Sequence, residues 1–208
     1  MSERALAKRV IGGIYSWAAD TVYEPLVVQG AFKVFGGNLH RFVRDQALAA
    51  ARVAADRPIL DLPVGTGTFT MTAAGATDGV VVGTDIASGM VRQAKATALR
   101  AGLRNLVGVQ ADAHHLPFTD GAFGAILCTN GLQVMPGLGR TLAELRRVLA
   151  DDGRLYVSVV NLPLSSAPSA PTLFMSRPQL KRALQGAGFT VTRLDRERLA
   201  TFLEVRPS

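Results

Sequence analysis

The sequence predicts an α/β fold: a mainly parallel sheet wound with helices on both faces and finished by an antiparallel hairpin. Three observations carry that expectation. Short β-branched runs alternate with helical patterns between residues 59 and 160, as βαβ units do. A glycine-rich turn, Gly65-Thr66-Gly67, directly follows the first of these runs. Near the end, residues 189–194 and 200–205 read as two strands too close in sequence to be parallel, because a parallel return needs about a dozen residues or more.

Taken in order, Ile59-Leu60-Asp61-Leu62 is the first expected strand and residues 80–84 the second. A helix is expected from Ser88, with Met90, Val91, Ala94 and Ala98 toward the sheet and Gly102 near its end. Residues 106–110 and 123–129 are the third and fourth strands. Residues 141–150 form a helix with Leu142, Leu145, Val148 and Leu149 on one face, and Gly153 turns the chain into a fifth strand at 155–160. Pro178 suits the first turn of a helix over 178–184, with Gly186 and Gly188 punctuating its end. A charged turn over 195–198 joins the last two strands. Residues 4–56 read as two or three helices laid against or over the sheet. The expectation is one domain, with a helical N-terminal cap over 1–56 and a core over 57–208.

Composition supports this and bounds the function. At 208 residues the chain is long enough for one well-buried domain. Hydrophobic residues are 48% and charged residues 19%, a globular balance. Aromatics are only 6%, so the core must be built mostly from Leu, Val and Ala. The formal charge of +7 would suit a polyanion-binding protein, but the Arg and Lys residues are scattered and form no dense run. One cysteine, Cys128, excludes an internal disulfide and a Cys-based zinc site; in the apolar run Ala125-Ile126-Leu127-Cys128 it reads as a buried strand residue. His114 and His115 are adjacent and have no Cys or Glu partners at metal-ligand spacing, so no metal is expected. No secretory signal and no run of ~18 apolar residues is present, so a cytoplasmic location is expected.

The chemistry concentrates after the first strand, in Asp61-Leu62-Pro63-Val64-Gly65-Thr66-Gly67. In an open parallel sheet, ligands bind beyond the carboxyl ends of the strands. Glycines there let the backbone approach the ligand, and the helix that follows offers free N–H groups. Asp85 ends the second strand about 20 residues farther on, where a carboxylate can accept both ribose hydroxyl protons. Together these mark a nucleotide or nucleoside site. Thr70 stands where the dinucleotide fingerprint has its third glycine, which argues against a dinucleotide.

From here the motifs resemble those of class I S-adenosylmethionine-dependent methyltransferases. Residues 59–67 look like the family's glycine-rich motif and residues 82–90 like its second motif. Residues 110–118 with 120–126 are similar to its third- and fourth-strand segments, and residues 145–155 to its passage into the fifth strand. The resemblance covers residue 57 to the end and implies a Rossmann-like doubly wound sheet and S-adenosyl-L-methionine as cofactor. It implies that Gly65, Thr66 and Gly67 pass the methionine part, with Asp61 holding its amino group. Asp85 would take the ribose, while Ile86 and Met90 line the adenine slot. Asp112 would accept from the adenine amino group, with the Ala113 N–H donating to a ring nitrogen. Asn130 and Gln133 would face the methionine part or the methyl group. The chain departs from the pattern at Pro63, which replaces the loop's first glycine, and at Gln133, where many relatives have His. No catalytic base is assigned.

The segment from Tyr15 to Glu24 is similar to one that precedes the core in quinone-biosynthesis C-methyltransferases, where it covers the cofactor; Tyr15 would contact the methionine carboxylate. The apolar stretch 22–35 that follows is expected to be buried or to gate an apolar cleft, with residues 161–173 as the second candidate lid. The acceptor expected is a small, partly hydrophobic molecule. A nucleic-acid acceptor is disfavoured, because Asn130-Gly131-Leu132-Gln133 lacks the prolines and aromatic of enzymes that methylate exocyclic amines. A protein acceptor, a non-catalytic adenosyl-binding module, peripheral membrane contact and the oligomeric state stay open.

Overall fold

In the computed structural model the described residues are 39–54, 56–133, 135–160, 176–197 and 200–208. Tyr15, the apolar stretch 22–35 and the candidate lid 161–173 lie outside them. The elements are α1 (Leu39–Val53), β1 (Ile59–Asp61), α2 (Thr70–Ala74), β2 (Val81–Asp85), α3 (Ser88–Arg100), β3 (Leu106–Gln110), β4 (Phe123–Thr129), α4 (Leu138–Val148), β5 (Leu149–Val160), α5 (Arg177–Gly186), β6 (Phe189–Glu197) and β7 (Ala200–Pro207).

The seven strands form one sheet in the order β3-β2-β1-β4-β5-β7-β6. β1, β2, β3, β4 and β5 run parallel, and β7 is antiparallel to both β5 and β6. The direction of winding reverses between β1 and β4, so their carboxyl ends open side by side at a topological switch point. The expected α/β class, the parallel sheet and the closing hairpin are all present. β7 inserts between β5 and β6, so the hairpin extends the sheet rather than flanking it.

Period-2 alternation along the strands divides the core by face. Ile59, Val81, Ala125, Leu127 and Tyr156 meet small residues of α1 and α3, among them Ala47, Ala50, Ala94 and Ala98. On the opposite face Leu60, Ile126, Leu155, Val157, Leu203 and Val205 meet Leu142, Leu145 and Val148 of α4 and Leu180 and Leu184 of α5. The core is mostly Leu, Val and Ala, as the low aromatic content implies, with Phe123 and Phe189 among its largest fully buried side chains. The chain just past α1 approaches the sheet at a glycine: a side chain at Gly124 would place its Cβ 2.5 Å from the Ala54 carbonyl oxygen.

Most expected boundaries agree with the structure, and α3, β3 and β4 do so closely. Met90, Val91, Ala94 and Ala98 are the buried stripe of α3. Three expectations differ for physical reasons. The fifth strand, expected over 155–160 after a turn at Gly153, begins at Leu149 and runs through Gly153, because Leu149 pairs with Phe123. The helix expected over 141–150 begins at Leu138 and ends at Val148, because Leu149 pairs with Phe123 in the sheet. Leu149 is buried whether it continues the helical stripe or opens a strand, so burial periodicity alone does not locate the change. β6 continues to Glu197, through residues expected in the turn, because residues 195–197 pair with Phe202, Thr201 and Ala200. α5 starts as expected and more firmly: Ser176 caps it, accepting from the Gln179 N–H, in a reciprocal capping box.

Leu145 sits at the centre of the α4–sheet layer with no exposure. Leu145→Ala should lower unfolding free energy by about 2–5 kcal/mol in urea denaturation. Leu99, 67% exposed on α3, is the control, and Leu99→Ala should change stability by less than about 0.5 kcal/mol.

Candidate cofactor site

β1 delivers Asp61 to the end of its strand with the side chain buried. Thr70, in the first turn of α2, donates its hydroxyl to Asp61 Oδ2. Asp61 Oδ1 has no hydrogen-bond partner among the described residues. Burial is the main influence on this carboxyl and pushes its pKa up to about 7; the Thr70 hydrogen bond opposes the rise and the nearby charge of Asp85 adds to it. In the sequence Thr70 reads only as the residue that stands in place of a glycine. Its hydroxyl is the partner that holds Asp61, and a Thr nine residues beyond a strand-end Asp carries no recognisable spacing rule.

Asp85 ends β2 and straps the glycine loop from the side. Its Oδ2 accepts the Gly65 N–H at 3.1 Å and its Oδ1 the Ala87 N–H at 3.0 Å. Burial raises its pKa, and the hydrogen bonds from Ala87 and Gly65 pull it back. Each carboxylate oxygen thus retains a further acceptor position. Gly65 and Gly67 adopt φ of +52° and +82°, left-handed values that glycine reaches without steric cost. Gly67 also packs against α3, where an added Cβ would lie 3.0 Å from Ala94. The Thr66 hydroxyl is buried beside that of Thr68, 3.1 Å away.

Pro63 fills the position of the missing glycine by shifting the close approach to another residue. A Cβ at Gly131 would lie 2.2 Å from Pro63 Cδ and 3.1 Å from Cys128 Sγ, so the chains leaving β1 and β4 touch here only because residue 131 has no side chain. Asn130, just before it, has φ +53°, the only positive φ at a non-glycine residue among those described. Asn tolerates that region better than other side chains. The Asn130 N–H donates to the Ser158 carbonyl at 2.9 Å, fixing the end of β4 against β5. Asn130 Oδ1 and Gln133 Oε1 are buried and, like Asp61 Oδ1, lack partners among the described residues.

The adenine-side expectations fall on the turn after β3. The Ala111 N–H donates to the Asp85 carbonyl at 3.0 Å. Asp112 Oδ1 accepts the His114 N–H at 3.0 Å, and Asp112 pairs with His115 through an isolated bridge. Ala113 is half-buried in this turn. Ile86 is 39% exposed just past the end of β2, whereas Met90 is buried against Ala87. The His114 ring sits 2.6 Å from the Pro136 carbonyl, and His115 is exposed. Cys128 is fully buried, and burial lifts its thiol to about 12, which removes it as a nucleophile. Among the described residues no cluster of His, Cys, Asp and Glu could hold a metal ion, and no helix is long and apolar enough to cross a membrane.

Thus Asp61, Pro63, Gly65, Thr66 and Gly67 end or follow β1, and Asn130 and Gln133 follow the paired strand β4; the two segments touch where Pro63 meets Gly131, and Asp85 is bonded to the loop at Gly65. Asp112 and Ala113 lie one strand farther, tied in through Ala111 and Asp85. Three of the buried polar atoms lacking partners here, Asp61 Oδ1, Asn130 Oδ1 and Gln133 Oε1, are oxygens. Burying acceptors without donors costs about 1–3 kcal/mol each, and a ligand bearing an ammonium or another cationic centre would repay it. The ammonium of S-adenosylmethionine would supply such donors, and its sulfonium would add positive charge without a donor.

Because Asp61 is protonated to a higher pH when folded than the ordinary 3.8, the folded protein binds more protons than the unfolded chain between about pH 4 and 7. Stability without ligand should therefore fall as pH rises through that window, by a few kcal/mol at most. Asp85 acts in the same direction. Asp61→Asn should flatten most of the slope; thermal melts from pH 4.5 to 8 measure it, and an unchanged slope would place the titrating group elsewhere.

Residues 59–153 match the family model described as a methyltransferase domain. The chain is 43% identical over 148 residues to the malonyl-[acyl-carrier protein] O-methyltransferase of Geobacter sulfurreducens, a match covering 63% of this chain and 55% of that protein. It is 39% identical over 124 residues to the demethylmenaquinone methyltransferase of Thermus thermophilus, covering 59% of this chain and 55% of the relative. The chain thus spans little more than half the length of these curated relatives. The crystal structure of a SAM-dependent methyltransferase from Aquifex aeolicus superposes with a TM-score of 0.70 at 19% identity, covering 81% of this chain and 91% of that one, a likeness of fold. Residues 59–153 thus match a methyltransferase domain around the switch-point site, and the sheet built on them shares its fold with a solved SAM-dependent methyltransferase.

Proposed function

We propose that the chain is an enzyme transferring the methyl group of S-adenosylmethionine to a small, partly hydrophobic acceptor. The observation that carries the reading is the set of buried acceptor oxygens on Asp61, Asn130 and Gln133, where the chains leaving β1 and β4 touch. In this reading Asp61 takes the ammonium, and the Gly65-Thr66-Gly67 backbone accommodates the methionine part. Asp85 accepts the ribose hydroxyls with the lone pairs its two backbone hydrogen bonds leave over. Ile86 and Met90 flank the adenine, Asp112 and the Ala113 N–H read its edge, and Asn130 and Gln133 face the methyl-bearing end. Tyr15 is proposed, from sequence alone, to close on the methionine carboxylate.

The bound sulfonium supplies an already electrophilic methyl. What these residues contribute is alignment, worth roughly 7–11 kcal/mol when a nucleophile is held in line with the carbon it attacks. Cys128 is too deeply buried and too weakly acidic to assist. The acceptor class rests on two names, malonyl-[acyl-carrier protein] and demethylmenaquinone, whose methyltransferases this chain resembles. Both acceptors are metabolic rather than nucleic acid, in keeping with the scattered positive charge.

Three outcomes test the reading. S-adenosylmethionine or its demethylated product should raise the melting temperature, by about 2.7 kcal/mol of stabilisation at a hundredfold excess over Kd, and NAD should not. A larger shift with NAD would overturn the assignment. Asp85→Ala should weaken binding by about 1.5–3 kcal/mol in calorimetry, the worth of a hydrogen bond to a charged group, while the domain stays folded. Binding should also weaken as pH falls below about 7, because the ammonium needs Asp61 ionised. With labelled cofactor, small quinols and carboxylates are the first acceptors to screen.

A further inference from the structure

On α4, away from the residues proposed to touch the cofactor, Arg147 uses all five of its N–H donors. Nε donates to Glu144 Oε1 at 3.0 Å, and Nη2 to Glu144 Oε2 at 2.8 Å and to the Leu116 carbonyl at 3.0 Å. Nη1 donates to the Phe118 carbonyl at 2.7 Å and to Asp120 Oδ1 at 2.8 Å. Glu144 Oε2 in turn accepts the Leu116 N–H at 2.9 Å, and the Arg147 carbonyl accepts the Gly121 N–H at 2.9 Å. The pairing with Arg147 is the main cause that holds the Glu144 carboxyl below its ordinary range. One helix thus grips the chain over residues 116–121 almost entirely through main-chain groups, so the grip fixes path rather than side-chain identity.

The position of that grip gives it meaning. The turn carrying Asp112 and Ala113 starts at Ala111, held by the Asp85 carbonyl, and ends at Leu116, whose N–H and carbonyl are both held by the Glu144–Arg147 pair. The Leu116 side chain is buried in the core beneath. From the side, the His114 ring meets the Pro136 carbonyl ahead of α4, and Gly137, at φ +70°, leaves room for it: a Cβ there would lie 3.2 Å from His114 Nε2. A turn clamped at both ends presents its Asp112 carboxylate and Ala113 N–H at a fixed spacing. Hydrogen-bond discrimination between nucleobases depends on such spacing, because a misplaced donor or acceptor loses its partner and is left desolvated.

We propose that Arg147 and Glu144 are positioning residues for nucleobase recognition: they hold the 112–115 turn in the geometry that selects adenine, without touching the cofactor. The proposal rests on the methyltransferase reading above, in which that turn faces adenine. Lysine at 147 keeps the charge but lacks the planar fork, and cannot hold Leu116, Phe118, Asp120 and Glu144 together.

The test is calorimetric titration of the full chain with S-adenosylhomocysteine and with S-inosylhomocysteine, in which hypoxanthine replaces adenine. The unaltered protein should prefer the adenosyl compound. Arg147→Lys should weaken its binding about tenfold, the loss of one or two charge-assisted hydrogen bonds, and should shrink the adenosyl-to-inosyl preference. Glu144→Gln, which keeps an acceptor for the Leu116 N–H, should do the same to a smaller degree and serves if the Arg147 variant does not fold. Arg146→Lys, altering the neighbouring exposed pair with Asp151, should change neither. A preference that stays constant while affinity and melting temperature fall together would show a merely structural role and overturn the proposal, as would unchanged binding in both variants. An unaltered protein that binds the adenosyl compound without discriminating hypoxanthine would also overturn it. If the unaltered protein binds neither compound, the methyltransferase reading itself fails, and the proposal with it.

Discussion

The constraint on which this structure turns is the contact between the chains leaving β1 and β4. Parallel neighbours in a doubly wound sheet diverge above their carboxyl ends when their crossovers run in opposite directions, and the gap between them is where a ligand fits. Here the gap is narrow at its base, because Pro63 lies against Gly131 with no space for a side chain between them. Everything that makes the site depends on that closeness. It puts Asp61 and the Asn130–Gln133 segment at one place, and it buries their oxygens away from water. The glycine loop must then turn through left-handed backbone at Gly65 and Gly67 to clear the contact and reach α2.

Burial at this point sets the electrostatics. Asp61 and Asp85 both end strands and both lie out of water, and desolvation raises the pKa of each. They differ in what offsets it. Asp85 has two backbone N–H groups, one of them from the glycine loop, so its charge is tied to the loop's conformation. Asp61 has a single hydroxyl donor and an oxygen without one. The site therefore holds one carboxylate whose desolvation is partly offset by backbone hydrogen bonds and another that needs a cation to stay ionised near neutral pH. That asymmetry suits a ligand whose positive charge sits at one end and whose hydroxyls sit at the other.

The far wall is organised differently. The turn after β3 is held within itself by Asp112, from α4 by the Glu144–Arg147 pair, and from the side by His114 against Pro136. Half-exposed salt bridges contribute little to stability by themselves. Their value here lies in fixing a main-chain path, since Arg147 reaches two carbonyls that no regular ladder satisfies. The same helix buries Leu142, Leu145 and Val148 against the sheet, so the turn is tied to an element anchored in the core.

Much of this was legible in the amino-acid sequence, because it rests on local patterns. Alternation and helical spacing are set by the geometry of the pleat and the turn, and they located α3, β3 and β4 almost residue for residue. The glycine loop and the strand-end Asp85 were readable because a fixed spacing follows from one βαβ unit. The closing hairpin followed from the short distance between its strands. Other features needed the tertiary structure, since each depends on residues far apart in the chain. The insertion of β7 between β5 and β6 is a choice among edges that local pattern leaves open. The change from helix to strand at Leu149 was hidden because both states bury that side chain, and only pairing with Phe123 decides between them. Thr70 as the partner of Asp61, Gly131 as the residue that admits Pro63, and Arg147 as the brace of the turn at 112–115 are likewise matters of proximity. Sequence specifies which side chains can make such contacts, and only the packed sheet, by bringing strand ends and helix faces within hydrogen-bonding distance, decides which of them do.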